Sequence, residues 1–171
     1  MRKLCMSLLL MGVTSLGFAQ YASKDIGNLE SSLGFAFANP DYLDEVQGDI
    51  SPNYAKFLEG IVAGWDVTEA QGFDHRDELF KVTFKSKKGY IHVVFDSKGK
   101  IQYAHEKFKN VALPWHIVQT IARENPSWIA VNSTYSVNYS KDKSTTKLLK
   151  IRLEKDGQTR TLKLTDSGNL L

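Results

Sequence analysis

Four histidines, His75, His92, His105 and His116, are the side chains of this chain most versatile as acid, base or metal ligand. None lies at the i, i+4 spacing that puts two imidazoles on one helix face, as H-E-x-x-H requires. His75-Arg76-Asp77-Glu78 holds acid and base residue types, but neighbours in sequence do not converge on one atom, and a charged loop before a strand accounts for them. There is no G-x-S-x-G nucleophile turn, no G-x-x-x-x-G-K-[ST] phosphate loop and no H-x-G-H arrangement. Asp96-Ser97-Lys98-Gly99 and Asp156-Gly157 lack the alternating carboxylates and distal Glu of a calcium loop, and read as turns. No catalytic residue, metal ligand or cofactor is assigned, and an enzyme is the least favoured class.

Binding chemistry has a better lead. Ile91, Val93 and Phe95 alternate with Tyr90, His92 and Val94, and Phe80, Val82 and Phe84 alternate with Lys81, Thr83 and Lys85. This is the two-residue period of half-buried strands. The apolar set faces a core, so Thr83, Tyr90, His92 and Val94 share the outer face. If helices cover one side of the sheet alone, those four are the candidate binding residues. The lysines of 85–88 and 141–147 fall at expected hairpin tips, where charge keeps edges soluble.

The start of the chain has the form of a secretory signal. Arg2 and Lys3 precede an apolar run from Leu4 to Val13, and Gly17-Phe18-Ala19 suits a small-x-small cleavage site. Cleavage after Ala19 or Gln20 is expected, with a periplasmic or secreted product. At roughly 15 residues the apolar segment is shorter than the ~20 that span a bilayer, and no membrane insertion is expected after its removal. Removal takes Arg2, Lys3 and the single cysteine, Cys5. The formal charge falls from +3 to +1, so composition gives no support for nucleic-acid binding.

The elements that must position the outer face follow in order. Asn39-Pro40 opens a short helix, with Asp41, Asp44 and Glu45 early in it. Ser51 is an expected N-cap with Pro52 at the first position, followed by a stripe of Tyr54, Phe57, Leu58, Ile61 and Val62 ended at Gly64. Strands follow, with a further short one expected between Trp65 and Gln71. Leu113-Pro114 opens a helix with Ile117, Val118, Ile121 and Ala122 on one side, stopped at Asn125-Pro126. More strands succeed it, beginning at Val131 to Tyr139.

A shift of 69 positions lays Phe80 to Gln102 on Leu149 to Leu171, with Gly99 on Gly168 and Ile101 on Leu170. The expected fold is therefore α+β, with two helix-plus-antiparallel-meander units of about four strands each and helices on one face. The expected divisions are a signal at 1–19, an N-terminal arm at 20–50, and units at 51–110 and 111–171.

Leu113-Pro114-x-x-Ile117-Val118-x-x-Ile121, Asn125-Pro126-x-Trp128 and Phe95-Asp96-Ser97-Lys98-Gly99-Lys100-Ile101, in that setting, resemble the PepSY-like and β-lactamase-inhibitor-protein-like families of small secreted bacterial proteins. Residues 113–171 carry most of the resemblance, 52–107 less, and 21–50 none. It implies an α+β fold and non-catalytic work outside the cytoplasm, such as binding or inhibiting another protein. The disulfides of the inhibitor proteins are missing, so no particular target carries over. The leading expectation is a binding module with a protein partner. The alternative is a carrier holding a small apolar ligand in a cavity lined by Phe84, Phe95 and Ile121.

Overall fold

A computed structural model of the chain describes residues 37–76, 79–165 and 167–171. The signal segment, most of the arm, Asp77 and Glu78 lie outside the described residues. In chain order the elements are α1 (Pro40–Val46), α2 (Asn53–Gly64), a 3-10 turn (Val67–Glu69), β1 (Leu79–Lys85), β2 (Gly89–Asp96), β3 (Ile101–Lys109), α3 (Trp115–Glu124), β4 (Ile129–Ser140), β5 (Lys143–Lys155) and β6 (Gln158–Leu164). The strands form one antiparallel sheet in the order β1-β2-β3-β4-β5-β6. Among the described residues no helix is long and apolar enough to cross a membrane.

This corrects the expectation of two units of four strands each. The fourth strand foreseen in the first half is the 3-10 turn, where the Asp66 carboxylate accepts from the Thr68 N–H at 2.9 Å and bends the backbone out of extension. In the second half the terminal apolar pair makes only an isolated bridge, Leu164 with Leu170, and the Leu171 N–H donates to the Lys163 carbonyl at 2.9 Å. The 69-residue shift fails with it. It lays β1 on β5 and β2 on β6, whereas two equivalent units would lay β1 on β4. Alternation and ordinary hairpin turns account for the likeness.

Burial follows the strand period. Ile91, Val93 and Phe95 on β2, Phe108 on β3, Tyr135 and Val137 on β4, and Leu149, Ile151 and Leu153 on β5 are fully buried. They share one core with α1, α2 and α3. A bulge at Val94/Phe95 pairs Phe95 with Ile101 and Val94 with Tyr103, so Ile101 is buried while Tyr103 turns outward. Gly89 begins β2 and closes the β1–β2 turn, its carbonyl accepting from the Ser86 N–H at 2.8 Å. A Cβ there would overlap the Lys107 carbonyl oxygen and lie 2.6 Å from the Phe108 ring.

The helices meet the sheet through rings and small residues. Trp65, at the end of α2, makes edge contacts with Phe84 and Phe95 at 5.3 and 5.8 Å. Tyr54 meets Phe108 at 5.7 Å, and Tyr42 of α1 meets Tyr139 at 5.3 Å. The buried side of α2 is Ala55, Leu58, Glu59, Gly60, Val62 and Ala63. Small residues let the helix axis approach the sheet, so the expected stripe is rotated and Phe57 and Ile61 face outward. Ser51 is not the cap. Its hydroxyl is buried 2.8 Å from that of Tyr135 and accepts from the Gly48 N–H at 3.0 Å. Pro52 takes the N-cap position, and Pro114 does so in α3, which buries Ile117 and Ile121.

Candidate functional site

With α1, α2 and α3 all packed into the core, the opposite sheet face is bare among the described residues. Thr83, Tyr90, His92 and Val94 all lie on it. Thr83 and His92 are cross-strand partners, with Thr83 Oγ1 2.7 Å from His92 Nδ1. The Tyr90 ring is 4.4 Å from the His92 ring at 49° and 6.1 Å from that of His105. Val94 is half-buried opposite Tyr103, which is 51% exposed.

The structure adds neighbours that sequence reading did not single out. His92 pairs with His105, His105 with Asn138 and Asn138 with Thr146, so one polar row crosses five strands from Thr83 to Thr146. Asn138 Oδ1 can only accept, so His105 Nδ1 donates to it at 2.7 Å, leaving Nε2 as the outward nitrogen. The Asn138 amide in turn donates to Thr146 Oγ1 at 3.4 Å. The signal for these residues was their strand alternation, legible only once the β3–β4 register across α3 was known. His75 sits apart, its Nδ1 3.2 Å from the Ser97 carbonyl, and His116 lies on α3 near Gly168.

Lysines flank the row. Lys85, Tyr90 and Lys107 are successive partners across β1–β3, and Lys109, Thr134, Lys150 and Lys163 across β3–β6. With strands about 4.8 Å apart the six-stranded face is roughly 25 Å wide, close to one side of an ordinary protein interface. An exposed aromatic and imidazole cluster with a charged rim matches the composition of such surfaces.

A second constellation lies on the core side. Glu59 of α2 and Glu106 of β3 are fully buried. The Tyr42 hydroxyl donates to Glu106 Oε1 at 2.7 Å. With both carboxylates ionised, Glu59 Oε1 and Oε2 and Glu106 Oε2 have no partner. A proton on Glu106 lets it donate to Glu59 and removes the repulsion. Burial pushes Glu106 well above the usual carboxyl range, and the Glu59 charge adds to this. Burial raises Glu59 to about 7, against the lowering effects of the Glu106 hydrogen bond and the Lys147 and Lys56 ammoniums. Burial also drives the Tyr42 hydroxyl well above its ordinary value. Such a pair performs acid–base chemistry where substrate can reach it. Here it sits within the packing between helix and sheet.

At Phe84 and Phe95, expected to line a carrier's cavity, the Trp65 ring packs at 5.3 and 5.8 Å. An open depression of about 530 Å³ lies instead at the sheet end, lined by Ser127, Ile129, Val131, Glu154, Lys155 and Asp156. A smaller one of about 160 Å³ adjoins Asn39, Tyr42, Lys100 and Tyr139. Among the described residues no three His, Cys, Asp or Glu side chains converge as a metal site would need.

No protein-family model matches the chain, and no curated protein does. A crystal structure of a DUF2874 family protein from Bacteroides ovatus is similar at 18% identity, covering 61% of this chain and 76% of that chain with a TM-score of 0.33. A likeness of that size carries no argument about activity.

Proposed function

We propose that this is a non-catalytic binding module, exported to the periplasm or beyond, that meets another protein through the open face of its sheet. The observation that carries the reading is that the helices share the core on one side, leaving Tyr90, His92, Tyr103 and His105 grouped on the other. The signal-like start and the resemblance to PepSY-like secreted proteins support the location. Tyrosines on a rigid strand offer large contact area at little conformational cost, and the Thr83–His92 and His105–Asn138 hydrogen bonds pre-organise the neighbouring rings.

A photo-reactive residue placed at position 83, with Arg123 on α3 as the control position, tests this in the cells that make the protein. Cross-links from position 83 to one discrete protein are expected, and Tyr90→Ala/His92→Ala weakens binding of that protein by about tenfold or more. Cross-links confined to position 123, or binding unchanged in the double variant, would remove the open face as the site.

A further inference from the structure

Among the described residues the open face is predominantly basic. Lys81 and Lys85 of β1, Lys107 and Lys109 of β3, Lys150 of β5 and Lys163 of β6 all project from it by alternation, and Arg152 lies beyond Lys150. Among the described residues two carboxylates share the face, near its ends. Asp96 is spent within the β2–β3 turn, accepting from the Lys98 and Lys100 N–H groups and the Gln102 amide at 2.8–2.9 Å. Glu154 stands at the far end of β5, opposite Thr159. On the helix side Asp41, Asp44, Glu45 and Asp49 are all exposed. Exposed carboxylates thus gather over the first helix, where Lys100 and Lys147 are held on the Ala38 and Gln47 carbonyls, while cations prevail on the bare sheet.

Lys150 and Lys163 stand directly opposite each other on β5 and β6, while Lys85 and Lys107, like Lys109 and Lys150, are separated by one strand. Like charges therefore oppose one another in the free protein, at a cost to stability. A partner of opposite sign relieves that repulsion on docking. We infer that the open face docks an acidic protein surface, whose Asp and Glu side chains meet the lysine lines while an apolar side chain rests on Tyr90, Val94 and Tyr103. This rests on the open face being the docking surface, and adds the partner's chemistry. A protein fits better than single-stranded nucleic acid. Tyr90 and His92 are tilted against each other at 4.4 Å, and both imidazoles are tied to strand neighbours. The rings thus engage one another rather than standing apart as flat platforms for successive bases.

The experiment is calorimetric titration of the full chain with poly-L-glutamate, with oligo-dT and poly-L-lysine in parallel, at low and moderate salt. Poly-L-glutamate is expected to bind, and added salt to weaken it as the Debye length shortens from ~30 Å at 0.01 M to ~10 Å at 0.1 M. Lys107→Glu/Lys150→Glu should lose about tenfold or more, with Arg123→Glu on α3 within about twofold of the parent. If the double reversal does not fold, Lys107→Gln and Lys150→Gln are read in the same way. Poly-L-glutamate failing to bind, or binding regardless of these lysines, overturns the inference. Tighter binding of oligo-dT makes the face a nucleic-acid surface and overturns it too. So does concentration-dependent self-association that Lys107→Glu/Lys150→Glu abolishes, since the occupant is then a second copy presenting its acidic first helix. The two readings fail separately. A cross-linked partner whose contact surface is neutral or basic removes the charge inference alone, whereas cross-links confined to position 123 remove both.

Discussion

Glu59 and Glu106 face each other between α2 and the sheet, and neither exposes any surface to solvent. Their proton balance makes stability depend on pH in an unusual direction. A carboxyl raised on folding holds more protons in the native state than in the unfolded one, so stability falls as pH rises. The contribution is complete below the ordinary Glu value of 4.5 and is lost as pH climbs through about 7 for Glu59. That shift is worth about 3 kcal/mol. Around the pair lie Tyr42, Tyr139, Gln47, Lys56 and Lys147; the Tyr42 hydroxyl donates to Glu106, and the Gln47 amide and the two ammoniums favour the charged form of Glu59. Melting at pH 5 and pH 8 should show the parent losing stability at the higher pH. Glu106→Gln, whose amide donates without a proton to lose, should flatten that difference.

Tyr42→Phe removes the hydroxyl that donates to Glu106 Oε1 at 2.7 Å. The buried carboxyl then lacks its donor, at a cost of about 1–3 kcal/mol. Denaturant unfolding measures this. Combined with Glu106→Gln the cost should fall short of the sum of the two single changes, because both act on one network.

Gly89→Ala should destabilise by about 1–3 kcal/mol, since its methyl group is driven into the Lys107 backbone and the Phe108 ring across the β2–β3 pair. Gly157→Ala provides the contrast. Its φ of 76° is unfavourable for Ala, but the space around it is open, so its cost of about 1 kcal/mol or more is purely conformational. Hydrogen exchange separates them. The first variant loosens amides along β2 and β3, and the second leaves them protected.

Trp65→Ala should cost about 3–5 kcal/mol, because the indole fills the junction between α2, Phe84 and Phe95. Trp128→Ala should cost less. Both indoles are half-buried, but Trp65 meets two rings of the sheet, whereas the ring face of Trp128 meets the Arg160 guanidinium at 5.2 Å. Equal losses in thermal melts would contradict this ranking.

Tyr90→Ala/His92→Ala should leave the melting temperature nearly unchanged, as surface changes away from caps and core stay within about 0.5 kcal/mol each. A large drop would mean that these side chains hold the sheet together rather than face a partner.

The helix starts were legible because Pro40 and Pro114 both mark them locally, and the faces of β1 and β2 were legible because their alternation is unbroken. The strand count was not. Asp66 bends its segment through a side-chain hydrogen bond that composition does not reveal, and Leu170 has apolar character without a full strand to join. Nor could Glu59 be recognised as buried. It lies within the stretch whose stripe was set on Phe57 and Ile61, and only the spacing to Ala55 and Val62 betrays its inward side. Glu106 alternates with Ala104 and Phe108, and that was a usable signal. The open face was half legible: Thr83, Tyr90, His92 and Val94 come from one hairpin, whereas His105 and Asn138 needed the register across α3.

Residues 169–171 have a bearing on how this protein survives at high concentration. A sheet with two open borders can polymerise strand upon strand, and native proteins guard those borders. One border here, β1, is guarded by Lys81 and Lys85. The other is partly occupied by the chain itself, with Leu170 bridged to Leu164 and the Leu171 N–H on the Lys163 carbonyl. Without those contacts, backbone groups of β6 beside the apolar Leu162 and Leu164 would be open to pairing with another strand.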